Sequence, residues 1–395
     1  MSTAAASDDV EVSFVLPCLN EAETLAGCLD QIRSCIAEHG LAAEIVVADN
    51  GSTDGSPEIA RRGGARVVHV AARGYGSALM GGFDAARGRF LVMGDADLSY
   101  DFREAFALIE KLRGGADLVM GSRFRGRIVP GAMPWSHRWI GNPLLSWLGR
   151  RLFPAPISDF HCGLRALTRQ AYLAMGLRTT GMEFASELVV KAAVRGLRIE
   201  EAPVTLRPDG RSRSPHLRRW RDGWRHLRFL LTLSPRWTLV VPGAALCGLG
   251  VALMALISLG PAHFRTVTLD VHTMIAGSLL VLVGYSAVTI GIAMRIFALT
   301  EELGPPDPQL ERSFSVFTLE RGLLGGAAVT LAGLAIVGGL AWQWGRSGFG
   351  PLDVATTLRP MILGSTLVAV GIQTVLASFV YSMFGIARQR GGRAR

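Results

Sequence analysis

The stretch Phe90-Leu91-Val92-Met93-Gly94-Asp95-Ala96-Asp97 decides how this chain is read: an apolar run of strand length delivers two carboxylates, one residue apart, at its carboxyl end. Hard divalent cations prefer oxygen ligands, and Mg2+ in particular is held by one or two carboxylates and completes its shell with substrate phosphates. An Asp-x-Asp at a strand end therefore suits a metal shared with a nucleotide. Alone, the same triplet is also ordinary solvated turn chemistry, so the surrounding sequence has to arbitrate.

From Val12 to Val204 short apolar runs alternate with amphipathic segments, the pattern of an α/β domain with a largely parallel sheet. Strands are expected at Val12 to Leu16, Glu44 to Ala48, Arg66 to His69, Phe90 to Gly94, Leu118 to Gly121 and Ile199 to Val204. Helices fall between them, at Glu21 to Ala37, Ser56 to Arg61, Gly76 to Arg87, Arg103 to Arg113 and Phe184 to Gly196. Ligands of such folds bind beyond the carboxyl ends of the strands. There the sequence places Pro17-Cys18-Leu19-Asn20-Glu21, then Asp49-Asn50-Gly51-Ser52-Thr53-Asp54-Gly55, Arg73-Gly74-Tyr75-Gly76, and Asp95-Ala96-Asp97. Each has a plainer reading: Asn20 as a helix N-cap, Asn50 to Gly55 as turn chemistry, the two glycines as a tight loop. Four successive strand ends carrying acids, glycines and an Arg together favour a nucleotide site. The glycines form neither GxGxxG nor the GxxxxGK[ST] phosphate loop.

The 395 residues are 49% hydrophobic with a mean hydropathy of +0.32, and the apolar excess sits in the C-terminal part. Four stretches are long enough to cross a bilayer: about Trp237 to Leu259, Val271 to Leu299, Leu323 to Trp344 and Met361 to Ile386. Four in succession with polar connectors argue against buried core helices. Small residues such as Gly325, Gly326, Gly333, Gly338 and Gly339 suit close helix packing. Met1 to Asp9 lacks the basic start and apolar run of a signal peptide, so residues up to about 236 are expected to be cytoplasmic. An even number of spans returns the C-terminus to the same side. The nine arginines from Arg207 to Arg236 and the tail residues Arg388, Arg390, Arg393 and Arg395 agree. The expected organisation is a disordered terminus at 1–10, a catalytic domain at 11–210, an interfacial helix at 211–236, a four-helix transmembrane domain at 237–386 and a basic tail at 387–395. The net charge of +9 concentrates beside the first span and brings no nucleic-acid-binding motif, which points to membrane lipids and not to nucleic acid. Five cysteines, an odd number without CxxC, read as reduced packing residues.

Further ordered motifs accompany the strand ends: Gly121-Ser122-Arg123, Ser158-Asp159-Phe160-His161-Cys162-Gly163-Leu164-Arg165, Gly181-Met182-Glu183-Phe184 with Glu187, and Arg207-Pro208-Asp209-Gly210-Arg211-Ser212-Arg213. With them, Val12 to Leu231 resembles the family 2 glycosyltransferases of the GT-A type, and within these the polyprenyl-phosphate sugar transferases related to dolichol-phosphate mannose synthase. The resemblance implies a Rossmann-like GT-A catalytic domain followed by an all-α membrane domain of four transmembrane helices. It implies an inverting transfer of a hexose from a nucleotide sugar to a polyprenyl or dolichyl phosphate, and the topology above sets this at the cytoplasmic face, the expected membrane being a bacterial inner membrane. By motif position Pro17, Asn20, Glu21 and Asp49 hold the nucleoside, with Arg73, Gly74 and Ala96 in the same nucleotide-sugar site. Asp95 and Asp97 hold Mg2+ or Mn2+ on the diphosphate, Arg123 lies near the transferring phosphates, and Asp159 orients acceptor or sugar. Arg207 and Arg213 occupy an RxxGxSK-like segment. Two departures stand out: Asn50, where many relatives have a second Asp, and Arg213 in place of Lys, which keeps the charge but offers a planar fork. Overall likeness favours GDP-mannose as donor, with UDP-glucose next; lipid chain length and oligomeric state stay open.

A lipid phosphomonoester has a second pKa of about 6, so near neutral pH it is mostly a dianion and needs no strong general base. Catalysis then rests on positioning and charge. Arg123, Arg138, Arg207 and Arg213 are the candidates for the acceptor phosphate, Arg138 with lipid headgroups as its alternative, and Asn142 either lines the same site or caps the second half of the helix broken at Gly141-Asn142-Pro143. His161 as a catalytic base is the weaker alternative for that reason. Glu183 and Glu187 are helix-start charges or sugar contacts. Pro134 to Phe153, which mixes three tryptophans with Arg138, Arg150 and Arg151, is either a core helix or an interfacial one. His216 to Leu233 puts Leu217, Trp220, Trp224, Leu227 and Leu231 on one face and arginines on the rest, the signature of a helix lying in the headgroup layer. Two other functions compete: a processive polysaccharide synthase, disfavoured by the missing QxxRW segment, and a nucleotide-regulated translocator of lipid-linked sugars.

Overall fold

The computed structural model describes residues 10–153, 155–212, 219–264, 267–300 and 318–391. The chain divides into two units, Met1–Leu230 and Leu231–Arg395. In the first, seven strands form one sheet: β1 (Val12–Cys18), β2 (Ala43–Asp49), β3 (Arg66–His69), β4 (Phe90–Met93), β5 (Leu118–Ile128), β6 (Arg165–Thr168) and β7 (Ile199–Leu206), in the order β3-β2-β1-β4-β6-β5-β7. All pairings are parallel except those of β6, which runs antiparallel between β4 and β5. The six expected strands are present, β3 with the expected ends and the other five with shifted ones. β6 is an addition, concealed in the sequence because it is four residues long and opens on Arg165. That arginine is buried, and its guanidinium donates to the carbonyls of Cys162 and Ala185, both at 2.7 Å. β5 extends seven residues beyond Gly121, through a stretch whose pairing with β7 shifts register between Ser122 and Arg127.

Helices α1 (Leu25–His39), α2 (Ser56–Arg62), α3 (Tyr75–Ala85) and α4 (Ala105–Arg113) follow the first four strands, and α5 (Asn142–Leu152), α6 (Arg169–Met175) and α7 (Phe184–Val194) come later. Strands packed on both faces read as continuous apolar runs, as in the almost wholly buried β1. α1 buries Leu25, Cys28, Leu29, Ile32 and Cys35 at helical spacing and ends on a left-handed Gly40. It starts at Leu25 and not at Glu21, because the preceding residues are turned into the strand-end loops. All five cysteines are free, four of them buried.

A π turn over His137–Gly141 precedes α5, where Pro143 lacks the N–H that a regular helix would use. α5 buries only Ser146 and Gly149, and a Cβ on Gly149 would stand 2.8 Å from the Phe160 ring. Trp135, Trp139, Ile140, Leu144 and Trp147 are all more than half exposed, at 68% for Trp135. The core-helix alternative for this segment is therefore removed. α8 (Arg219–Thr232) buries His226 and Leu230, one turn apart, and leaves Trp224 58% exposed away from that face. Leu217 and Arg218 lie outside the described residues, as do 1–9, Arg213 and much of the connection at 301–317.

The second unit contains α9 (Val241–Ser258), α10 (Val271–Thr300), α11 (Leu319–Arg346) and α12 (Val354–Gly391), with a small hairpin of β8 (Ala262–Phe264) and β9 (Val267–Leu269) after α9. Among the described residues four spans are long and apolar enough to cross a membrane: Arg236–Ser258, Val271–Thr300, Leu319–Arg346 and Thr356–Phe384. α9 meets α10 through Gly243 against Gly284 and Gly250 against Gly277. α11 meets α12 through Gly326 against Gly371 and Gly333 against Gly364. A Cβ on Gly250 would stand 2.5 Å from the Gly277 carbonyl oxygen, and one on Gly333 would stand 2.6 Å from that of Gly364, so the backbones touch. Gly325, Gly338 and Gly339 face open space and take no part. Hydroxyl contacts tie α10 to α12: Ser278 to Thr366 at 2.6 Å, Tyr285 to Thr374 at 2.5 Å, and the Tyr381 hydroxyl to the Thr289 carbonyl at 2.9 Å.

Candidate active site

The strand-end loops are hydrogen-bonded to one another. Asn20 adopts a left-handed conformation (φ 58°), donates its N–H to Ser52 Oγ at 2.9 Å and accepts from the Thr53 N–H at 2.7 Å. It is thus a clasp between the first and second loops and caps no helix. The Glu21 N–H donates to Ser56 Oγ at 2.8 Å, and the buried Thr24 hydroxyl donates to the Ala96 carbonyl at 2.6 Å, joining the first loop to the fourth. Asn50 donates through Nδ2 to the carbonyls of Val70 (2.9 Å) and Ala72 (2.8 Å), and its Oδ1 accepts from the Gly74 N–H at 2.8 Å. A carboxylate has no proton to give those carbonyls, so Asn at this position has a structural reason.

Burial raises the Asp49 carboxyl, but hydrogen bonds from Ser52, His69 and Gly51 outweigh it and hold the group below the usual carboxylate range. Gly74 has φ 133°, and any Cβ there would collide with the Thr180 carbonyl. The Gly76 N–H donates to that same oxygen at 2.9 Å. These glycines serve a backbone contact with the 179–181 loop. Arg73 is exposed, its guanidinium 3.5 Å from where a Cβ on Gly51 would stand.

Asp95 accepts from the Tyr75 hydroxyl at 3.0 Å, and its other oxygen faces Gly163, where a Cβ would collide with it. Burial first, and the neighbouring Asp97 second, push the Asp95 carboxyl up to about 6. Asp97 accepts from the Ser99 N–H at 3.0 Å and pairs with Arg211 Nη2 at 2.6 Å. Arg211 was not singled out by the sequence; it reads there as one of several arginines in the loop after β7. No group of three or more His, Cys, Asp or Glu placed to hold a metal occurs among the described residues. Two mutually repelling carboxylates form an all-oxygen donor set that suits Mg2+ or Mn2+ when substrate phosphates complete the shell.

On the other side, Arg123 grips Asp159 with both arms of its fork, Nε to Oδ2 at 2.6 Å and Nη2 to Oδ1 at 2.7 Å, and its own N–H donates to Oδ2 at 3.1 Å. Asp159 is fully buried, so its carboxylate reaches a substrate only by way of Arg123. The Asp159 N–H is held by Glu201 Oε1 at 3.1 Å. His161 Nε2 lies 3.2 Å from Ser186 Oγ, which lies 2.9 Å from His226 Nδ1. Burial first and His226 second hold His161 well below the usual imidazole range, so it is a neutral, enclosed group near pH 7.

Arg207 is half exposed and pairs with Asp101 at 3.0 Å, which Arg103 also grips. Arg138 lies over the Trp139 ring at 5.4 Å and Asn142 donates to Met133 Sδ at 3.4 Å, both beside the exposed tryptophans. Glu187 is structural: it pairs with Lys191 at 2.8 Å and accepts from the Arg178 and Thr179 N–H groups.

Residues 13–175 match the family model for glycosyl transferase family 2, and residues 292–385 match that for the glycosyltransferase family 2 C-terminal transmembrane region. The low-salt glycan biosynthesis hexosyltransferase Agl6 of Haloferax volcanii is 38% identical over 379 residues, 95% of this chain and 89% of that protein. The chain belongs to glycosyltransferase family 2. Another similar protein is a dolichyl-phosphate hexose transferase of the same organism, 34% identical over 42% of this chain and 70% of that one. As a family 2 glycosyltransferase, the chain carries a GT-A catalytic fold in its first unit and four apolar helices in its second. Glucosyl-3-phosphoglycerate synthase from Mycobacterium tuberculosis, crystallised with Mn2+, UDP and phosphoglyceric acid, is a more distant likeness: 24% identity, TM-score 0.44, 56% of this chain and 76% of that one.

Proposed function

We propose that this glycosyltransferase transfers a hexose, with inversion, from a nucleotide sugar to a polyprenyl or dolichyl monophosphate at the cytoplasmic face of a bacterial inner membrane. GDP-mannose is the favoured donor and UDP-glucose the second. Residues 11–210 are the catalytic domain, 211–236 the interfacial segment and 237–386 the membrane domain. The names borne by the similar proteins support the acceptor class. The observation that carries the reading is the 158–163 loop. One end anchors Arg123 through Asp159, and the other lies against Asp95 through Gly163. One short segment thus touches both Arg123, to which this reading gives the acceptor phosphate, and Asp95, to which it gives the metal.

An acceptor phosphate oxygen attacks the anomeric carbon as the bond to the donor diphosphate breaks, and the nucleoside diphosphate leaves with the electron pair. Mg2+ or Mn2+ on Asp95 and Asp97, when bound, neutralises charge on the leaving group. The remaining work falls to the chain. Asn20, Glu21 and Asp49 bracket the nucleoside, with Pro17, Arg73, Gly74 and Ala96 around it. Arg123, pre-set by Asp159, takes the incoming phosphate, and Arg138, Asn142, Arg207 and Arg213 add to the acceptor side. The exposed Trp135, Trp139, Trp147 and Trp224 seat the domain in the headgroup layer, where the lipid phosphate lies.

The test incubates full-length protein with Mg2+ or Mn2+, a short polyprenyl phosphate and a panel of labelled nucleotide sugars, beside Asp95→Ala and Asp97→Ala. Label in the organic phase from one donor, absent in both variants, is the expected result. Tight nucleotide-sugar binding with no lipid product from any donor would refute it and favour the translocator.

A further inference from the structure

Asp97 gives one carboxylate oxygen to the backbone and the other to a cation that the chain itself supplies. Oδ1 accepts from the Ser99 N–H at 3.0 Å, and Oδ2 accepts from Arg211 Nη2 at 2.6 Å. The Arg211 Nε lies 3.1 Å from Glu21 Oε2, although too poorly aligned to donate a hydrogen bond to it. Its side chain is only 10% exposed. The loop that carries Arg211 is laid down over the acids by further contacts. The Gly210 N–H donates to the Asp97 carbonyl at 2.9 Å. The Ser212 N–H and hydroxyl donate to Glu23 at 2.7 and 2.6 Å. A guanidinium therefore sits between an acid of the first strand end and an acid of the fourth, on the oxygen that a divalent ion would need.

We propose that Arg211 is a resident counter-cation: it occupies Asp97 while the donor is absent and passes to the donor diphosphate when metal and nucleotide arrive. This rests on Asp95 and Asp97 being the metal ligands. Two cations in contact with one carboxylate oxygen repel, so Arg211 and the metal exclude each other there. The nucleotide supplies what the displaced arginine lacks, a pair of anionic oxygens matched to its planar fork. Metal binding in the free protein is then suppressed by Arg211, and the suppression is relieved by nucleotide. The two ligands become coupled through one side chain. Arg211 is a positioning residue toward the metal and a binding residue toward the phosphates. A purely structural ion pair makes the opposite prediction: its loss would loosen Asp97 and weaken metal binding.

Mn2+ is titrated into the full-length protein in detergent without nucleotide, and free Mn2+ is read by electron paramagnetic resonance. Arg211→Gln is expected to bind Mn2+ on the order of tenfold tighter than the unaltered protein. Arg211→Lys, which restores a cation on a similar tether, returns the affinity toward the original value. Added GDP or UDP tightens Mn2+ binding more in the unaltered protein than in Arg211→Gln. Asp97→Asn abolishes binding throughout. Unchanged or weaker Mn2+ binding by Arg211→Gln, with Asp97→Asn still abolishing it, would overturn the role of Arg211 alone. Mn2+ binding unaffected by Asp97→Asn would overturn the metal assignment and this proposal with it.

Discussion

Replacing Asp159 by Ala should lower the melting temperature of the first unit by roughly 10 °C. Arg123 donates two side-chain hydrogen bonds to Asp159, at 2.6 and 2.7 Å, from a side chain that is itself 9% exposed. Truncating the carboxylate strands that cation in a buried position, and breaking one half of a buried ion pair costs about 3–5 kcal/mol. A domain of 150–250 residues melts about 2–4 °C lower for each kcal/mol lost. Arg123→Met alone strands the carboxylate and should cost a similar amount. The double variant Arg123→Met, Asp159→Leu leaves no charge behind, so it should be more stable than the sum of its parts by at least about 2 kcal/mol. Scanning calorimetry of the full chain in detergent gives the melting shifts, and a chemical-denaturation cycle gives the coupling. Strict additivity, or a shift under about 2 °C for Asp159→Ala, would refute the claim that the pair is closed and buried. The double variant should still fail in glycosyl transfer, which separates a folded site from a working one.

Three further outcomes follow from the same contacts. Asn50→Asp removes two donors from the carbonyls of Val70 and Ala72; the freed Arg73-Gly74 loop should raise the KM for nucleotide sugar about tenfold, measured by initial rates over a donor series. Gly333→Leu forces a side chain into the Gly364 backbone and should destabilise the membrane unit by about 1–3 kcal/mol, whereas Gly338→Leu, facing open space, should leave thermal unfolding in detergent unchanged. Burial raises the Glu187 carboxyl, but its bonds to Lys191 and Thr179 outweigh that and bring it below its ordinary 4.5. Its stabilisation is therefore complete above pH 4.5 and disappears as pH falls through the depressed value. Melting curves of Glu187→Gln should lie below those of the unaltered protein at pH 7 and converge with them as the pH drops through that window.

The strand ends were legible because an apolar run followed by acids and glycines has few other uses in an α/β chain. Their clasps were not. Asn20 looked like a cap because a left-handed turn and an N-cap favour the same residue type. β6 was hidden by Arg165, since a buried arginine satisfied by carbonyls is indistinguishable in sequence from a solvated one. His226 stands among the four arginines of α8, and only the packing of that helix turns it inward to Ser186. Arg211 lies two residues from Arg213 in a loop whose arginines all suit phosphate, so its attachment to Asp97 depends on where the end of β7 places the backbone. For Pro134 to Phe153 the residue pattern allowed core or interface, and the exposure of its tryptophans decides between them.

The membrane helices follow one plan twice. Glycines seven residues apart, 243 and 250, oppose a second such pair, 277 and 284; the pattern returns with 326 and 333 against 364 and 371. Each hairpin closes on its own backbone contacts and asks nothing of the other in order to do so. During synthesis the spans can accordingly leave the insertion machinery two at a time, each pair zipped before the next emerges. The outward faces are then relieved of any part in that closure, and their side chains can drift to match a thicker or thinner bilayer while the eight glycines stay where they are.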